Sequence, residues 1–158
     1  MQIQYKIAQL LKGSGYTLSA AESCTGGQIS HLITMVSGSS EYFLGSVTSY
    51  AISVKENVLS VPGDLIKEHG VVSTEVAAAM AEGVRALTGS TFSVATTGLA
   101  EGGDERFPEG TVCIGVSSKW GTETMIFHCD KGRTGNIRRF ATAALGFLSD
   151  HITKHTKY

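Results

Sequence analysis

Tyr16-Thr17-Leu18-Ser19-Ala20-Ala21-Glu22-Ser23-Cys24-Thr25-Gly26-Gly27 is the stretch that decides the architecture of this chain. Tyr16 to Ala21 reads as a short strand, and it runs straight into the turn Glu22 to Gly27. Beyond the glycines, Ile29, Leu32, Ile33 and Val36 recover the period of a helix. Strand, glycine turn and helix in that order open an α/β unit.

Toward the N-terminus, Ile3, Ile7, Leu10 and Leu11 form a helical stripe that stops at Gly13-Ser14-Gly15. Toward the C-terminus, Phe43 to Tyr50 alternates as a strand, and Ala51 to Leu59 and Asp64 to His69 read as short helices around the turn Pro62-Gly63. Ser73 supplies a cap and Glu75 a negative first turn for a helix to about Leu87. Thr91 to Thr97 is a strand that leads into a second glycine-rich loop, Gly98 to Gly110. Thr111 to Ser118 and Thr122 to Cys129 form a hairpin across Lys119-Trp120-Gly121. A last helix, from about Asn136 to Thr153, carries Ile137, Phe140, Ala144, Phe147 and Leu148 on one face. The expected fold is therefore α/β, a mixed sheet with helices on both faces, in one domain over residues 1–158.

Composition excludes several function classes. The 158 residues are 42% hydrophobic and 17% charged, with a formal net charge of −1, so no global field gathers nucleic acid. Lys131, Arg133, Arg138 and Arg139 make a local basic cluster that suits a small anion. No apolar run reaches the roughly 18–20 residues that span a bilayer, and Met1 to Ile7 lacks the apolar stretch of a signal peptide. The expectation is a cytoplasmic chain with no membrane partner. Three cysteines without C-x-x-C spacing fit reduced thiols and offer no zinc framework. His151 and His155 stand at i, i+4, a spacing able to chelate metal, but a frayed, solvated helix end accounts for them as well. No catalytic metal and no cofactor are expected.

Ligands of open α/β sheets collect beyond the carboxyl ends of strands, at loops that enter helices. Ser23 to Gly27 and Thr97 to Gly103 are such loops, rich in glycine and hydroxyl groups. Their geometry serves phosphate binding and acyl-transfer chemistry equally well, and Ser23 and Thr25 would serve equally well as helix caps. Neither loop carries Gly-Lys-Ser/Thr four residues after a glycine, which excludes a P-loop, and Gly26-Gly27 does not begin G-x-G-x-x-G. For a nucleophile the chain offers the neighbours Ser23 and Cys24. A serine needs a base, and Lys55, flanked by Ala51, Ile52, Val54 and Val58, is placed for a drier setting than a surface lysine.

These residues resemble a known family. Ala21 to Gly27 resembles the A-E-S-C-T-G-G signature of the C-terminal domain of the competence- and damage-inducible protein CinA, whose stand-alone form is the nicotinamide-nucleotide amidase. The likeness continues through Gly38-Ser39-Ser40, Tyr42-Phe43, Val47-Thr48-Ser49-Tyr50, Lys55 at the spacing of Y-S-N-E-A-K, His69 to Ser73, Thr97-Gly98-Leu99-Ala100 and Gly110-Thr111-Val112. The resemblance implies a three-layer α/β/α sandwich. It implies hydrolysis of the carboxamide of nicotinamide mononucleotide by a serine–lysine mechanism, with Ser23 as nucleophile, Lys55 as base, and Tyr50 and Thr97 in the surrounding polar network. It also implies that Thr25, Gly26, Gly27 and Gly98 cradle a phosphate or an oxyanion, with Arg133 as a substrate-binding arginine. The implied partner is a small nucleotide substrate, and a homodimer suits an α/β enzyme of this size. Larger relatives carry a separate N-terminal pyrophosphatase-like domain.

The chain departs from the family pattern at Glu101, where a glycine is usual, at Phe107, where a lysine is usual, and at Ile52, where asparagine is usual. A carboxylate at 101 repels a phosphate by about 1 kcal/mol at 4 Å in water, and by more in a drier site. A relative that binds a nucleotide or partner without turnover, or an amidase for a different small amide, is the alternative expectation.

Overall fold

Three runs of small and apolar residues have no polar face to offer solvent, and they become the buried centre of a five-stranded sheet: β1 (Leu18–Glu22), β3 (Phe92–Leu99) and β4 (Thr111–Ser118). The alternating runs become its two edges, β2 (Phe43–Thr48) and β5 (Gly121–His128). The computed structural model describes residues 1–156, so the last two residues of the expected 1–158 unit lie outside the described residues.

The strand order is β2-β1-β3-β4-β5. β2, β1 and β3 run parallel, with Ala20 registered against both Ser46 and Val94. β4 and β5 are antiparallel to their neighbours, as the two-residue Lys119-Trp120 connection demands; Gly121, expected in the turn, pairs with Ser118 as the first residue of β5. On one face lie α1 (Ile3–Leu11), α2 (Gln28–Thr34) and α6 (Gly132–Thr156), packed over Leu18, Ala20, Val94 and Val112. On the other lies α5 (Thr74–Thr88), with α4 (Gly63–His69) against it and the short α3 (Ile52–Asn57) after β2. The result is a mixed-sheet three-layer α/β/α sandwich. Gly115 lets α5 sit close to the sheet, since a Cβ there would stand 2.5 Å from the Ala77 carbonyl oxygen.

Two elements differ from expectation for tertiary reasons. α6 starts at Gly132, four residues early, although Gly132 and Gly135 are poor helix formers. Buried Asn136 holds the start in place: its Oδ1 accepts from Lys131 N at 2.8 Å, and its Nδ2 donates to the Ala100 carbonyl at 2.9 Å. At the other end, α6 continues as helix to Thr156, and His151 is only 1% exposed. The frayed, solvated tail expected there is instead a packed helix. Phe92 and Trp120 cover its inner face, and the His151 ring meets Phe92 edge-on.

Candidate active site

Parallel strands bring their carboxyl ends to one edge of a sheet, and here three adjacent ones do so together. Ser23 follows β1, Thr97 and Gly98 close β3, and the segment after β2 turns back over both. The turn is fixed by Ser49, whose N–H donates to the Glu22 carbonyl at 2.7 Å just past the end of the β1–β2 ladder. α3 then starts at Ile52, and its fourth residue, Lys55, points back under the turn. Lys55 is fully buried. Its Nζ lies at hydrogen-bond distance, 2.8 Å, from Ser23 Oγ, and donates to the Ser49 carbonyl at 2.6 Å and to the Tyr50 carbonyl at 3.2 Å. Burial lowers the Lys55 pKa from its ordinary value, opposed by the neighbouring Cys24 thiol.

These groups open into a cleft of about 300 Å³ whose lining includes Ser23, Tyr50, Lys55, Thr97, Gly98 and Arg133. The other expected roles divide. Tyr50 contributes its carbonyl to Lys55, while its exposed ring reaches the rim, where the hydroxyl accepts from Arg133 Nη2 at 3.3 Å. Thr97 lines the cleft, but its hydroxyl donates to the Val71 carbonyl at 2.8 Å and touches neither Ser23 nor Lys55. Gly98 lines the cleft and also has a packing duty, because a Cβ there would stand 2.6 Å from the Thr111 carbonyl oxygen on β4. Arg133, in the first turn of α6, is paired with Glu101 at 3.6 Å across the mouth.

Thr25, Gly26 and Gly27 lie outside the cleft lining. The anion at their loop is the chain's own. The buried Glu22 carboxylate accepts from Thr25 Oγ1 (2.7 Å), Gly27 N (3.2 Å), Ile29 N (2.9 Å), Ser30 N (3.0 Å) and Ser30 Oγ (2.6 Å). Gly27, at φ 111°, takes the left-handed turn that aims those N–H groups back at it. Thr25 Oγ1 also shares a 2.9 Å hydrogen bond with Thr96 Oγ1, which ties the loop to β3. Glu22, Ser49 and Thr96 were not singled out from sequence. For Glu22 a signal exists in principle: a carboxylate placed just before a glycine entry to a helix is the natural partner of that helix's free N–H groups.

Cys24 borders the cleft beside the serine, but burial pushes its thiol up to about 12. It is a packed thiol and not a thiolate. Among the lining residues, Cys24 and Glu101 alone carry the side-chain types that hold metals, which is not a ligand set.

The model of the CinA C-terminal domain matches residues 1–152. Among curated proteins, the chain is 43% identical over 151 residues to a CinA-like protein of Desulfosudis oleivorans, covering 94% of this chain and 37% of that protein. It is 45% identical over 141 residues to a CinA-like protein of Salinibacter ruber, covering 88% of this chain and 34% of that one. The chain thus spans little more than a third of the length of these relatives. Among solved structures, the competence damage-inducible protein A of Klebsiella pneumoniae superposes with a TM-score of 0.92 at 27% identity, covering 98% of this chain and 97% of that one. A competence/damage inducible protein of Agrobacterium tumefaciens superposes at 0.87 and 28% identity, with 97% and 96% covered. The signature read at Ala21 to Gly27 and the fold built around it agree with these matches, and the chain belongs to the CinA C-terminal domain family.

Proposed function

We propose that this chain is an amidohydrolase that removes the amide nitrogen of nicotinamide mononucleotide by a serine–lysine mechanism, residues 1–158 acting as one domain. One observation carries the reading: a fully buried lysine with its Nζ 2.8 Å from the hydroxyl of a serine that lines a cleft. A neutral amine has two N–H groups and one lone pair. The carbonyls of Ser49 and Tyr50 take the two N–H groups, which leaves the lone pair for the Ser23 proton. Ser23 Oγ then attacks the carboxamide carbon as Lys55 takes that proton. Collapse of the tetrahedral adduct returns the proton to the departing nitrogen, ammonia leaves, and water hydrolyses the acyl-serine by the same relay. Arg133 at the rim pairs with the substrate phosphate, and no cofactor enters the reaction.

The test is ammonia release from nicotinamide mononucleotide by wild type beside Ser23→Ala. Turnover in the wild type and a loss on the order of a thousandfold or more in the variant is the expected outcome. Wild-type turnover in Ser23→Ala refutes it. A second reading, binding without turnover or action on a different small amide, is favoured by Glu101, which already occupies Arg133 at 3.6 Å. Calorimetric binding of the nucleotide with no ammonia released would select it.

A further inference from the structure

At the opposite end of the sheet from the cleft, three metal-ligand side chains converge. Glu123 comes from β5, and His151 and His155 come from successive turns of α6. One ligand atom from each lies within 4.8 Å of the other two, the only such group among the described residues. The His151 ring is held at both nitrogens. Nε2 lies 2.8 Å from Ser118 Oγ, and Nδ1 lies 2.6 Å from Glu123 Oε2. The His155 ring stands 4.6 Å from the His151 ring, centroid to centroid, and stacks on Trp120 at 5.5 Å and 3°. Phe92 and Tyr16 continue the aromatic wall behind Trp120, so the group is dry on its inner side. It is open on its outer side, where the Glu123 side chain is 34% exposed.

We propose that Glu123, His151 and His155 form a binding site for a divalent transition metal of the zinc type. Two imidazoles at i, i+4 and a carboxylate from a facing strand are the donor set such ions prefer, with a fourth position left for water. The ion replaces the proton now shared between His151 Nδ1 and Glu123 Oε2. Tetrahedral bonds of about 2.0–2.2 Å put ligand atoms roughly 3.3–3.6 Å apart. The 2.6 Å contact therefore opens while the His155 ring swings inward. Ser118 is already in the position of the outer partner that fixes a ligating imidazole, its hydroxyl accepting from Nε2–H so that Nδ1 presents its lone pair. Lys154 opposes the ion, since its ammonium sits 2.5 Å from Glu123 Oε1. The bound ion would clasp the last two turns of α6 to the edge strand, far from Ser23 and independent of its chemistry.

Trp120 is the chain's single tryptophan, so its fluorescence reports on this site alone. Tag-free protein is titrated with Ni2+, the bound ion is displaced with Zn2+, and calorimetry with Zn2+ gives the stoichiometry. Expected are quenching of Trp120 with a midpoint at or below about 10 μM, one ion per chain, and weakening by about 10–100-fold in Glu123→Gln and in His155→Ala. Lys154→Met should tighten binding, an effect that a purely structural role for the cluster does not predict. An unchanged midpoint in Glu123→Gln overturns the three-ligand site and leaves only a histidine pair. Equal binding in His155→Ala, or no quenching by 100 μM Ni2+ (about tenfold beyond the expected midpoint), overturns the site altogether.

Discussion

Replacing Lys55 by methionine keeps the length and bulk of the side chain, removes the amine, and so separates its chemistry from its packing. The fully buried Nζ makes three hydrogen bonds. Losing the two to the Ser49 and Tyr50 carbonyls costs about 1 kcal/mol each. Against that, the variant no longer has to hold a lysine in a setting where burial disfavours its charge. The net change in stability near neutral pH should therefore stay within about 2 kcal/mol, a shift of up to roughly 4–8 °C in melting temperature at this chain length. Activity should fall far more, by about 10²–10⁴-fold for a lost general base. The pH dependence gives a sharper check. Burial lowers the folded-state pKa of Lys55 below its unfolded value near 10.5, so the unfolded chain binds more protons between the two. Wild-type stability therefore gains relative to Lys55→Met as pH rises through that window, by up to about 1.4 kcal/mol per pH unit. Below the folded-state pKa the two curves run parallel. Denaturant melts of both proteins from pH 6 to 10 measure this. Curves parallel throughout, or a variant that keeps more than a tenth of wild-type turnover, refute the account of Lys55 as a buried base.

Cys24→Ala should keep nearly all activity, because burial holds the thiol near 12 and no useful thiolate exists at neutral pH; a loss comparable to that of Ser23→Ala would make Cys24 the nucleophile instead. Glu22→Gln points an amide at donors that need an acceptor and should cost about 3 kcal/mol, or roughly 6–12 °C in a thermal melt; a shift under 2 °C, below about 1 kcal/mol, would mean the five hydrogen bonds carry little net energy. Hydrogen bonds from His151 and then Lys154 pull Glu123 down to about 2 from 4.5. Its contribution is therefore present above pH 4.5 and lost as pH falls toward 2, so melts across that range should fall more steeply in wild type than in Glu123→Gln.

Much of the fold was legible because the signals were local. The strand–glycine–helix order at Tyr16 to Val36 and the tight turn at Lys119-Trp120 each name their own geometry. The misplaced elements were those set by contacts distant in sequence. Asn136 starts α6 early by bonding Ala100, and the aromatic wall at Phe92 and Trp120 keeps its end folded. At the site, the meeting of Ser23 and Lys55 across 32 residues came from the family pattern, not from periodicity. The apolar neighbours Ile52 and Val58 do not cover Lys55, being themselves 45% and 40% exposed. The dryness of Lys55 comes from the turn at Ser49 and Tyr50 folded over it. Thr25, Gly26 and Gly27 read as substrate binders because a helix entry wants an anion, and only the folded loop decides between an outside anion and the chain's own Glu22.

That internal anion also bears on the proposed chemistry. Glu22 is adjacent to Ser23 in the chain, and a carboxylate so near a lysine base would defeat it. At 4 Å and an effective dielectric of about 20, the attraction is about 4 kcal/mol, enough to hold the ammonium charged by roughly three pKa units. Successive side chains leave a strand on opposite faces, and here the alternation is completed by bonding. Five donors from Thr25, Gly27, Ile29 and Ser30 hold the Glu22 carboxylate toward α2, while Lys55 meets only a hydroxyl and two neutral carbonyls on the other side. The glycine entry to α2 thus favours, from a distance, the neutral lysine that the proposed mechanism needs, by engaging the one acid that sequence places beside the nucleophile.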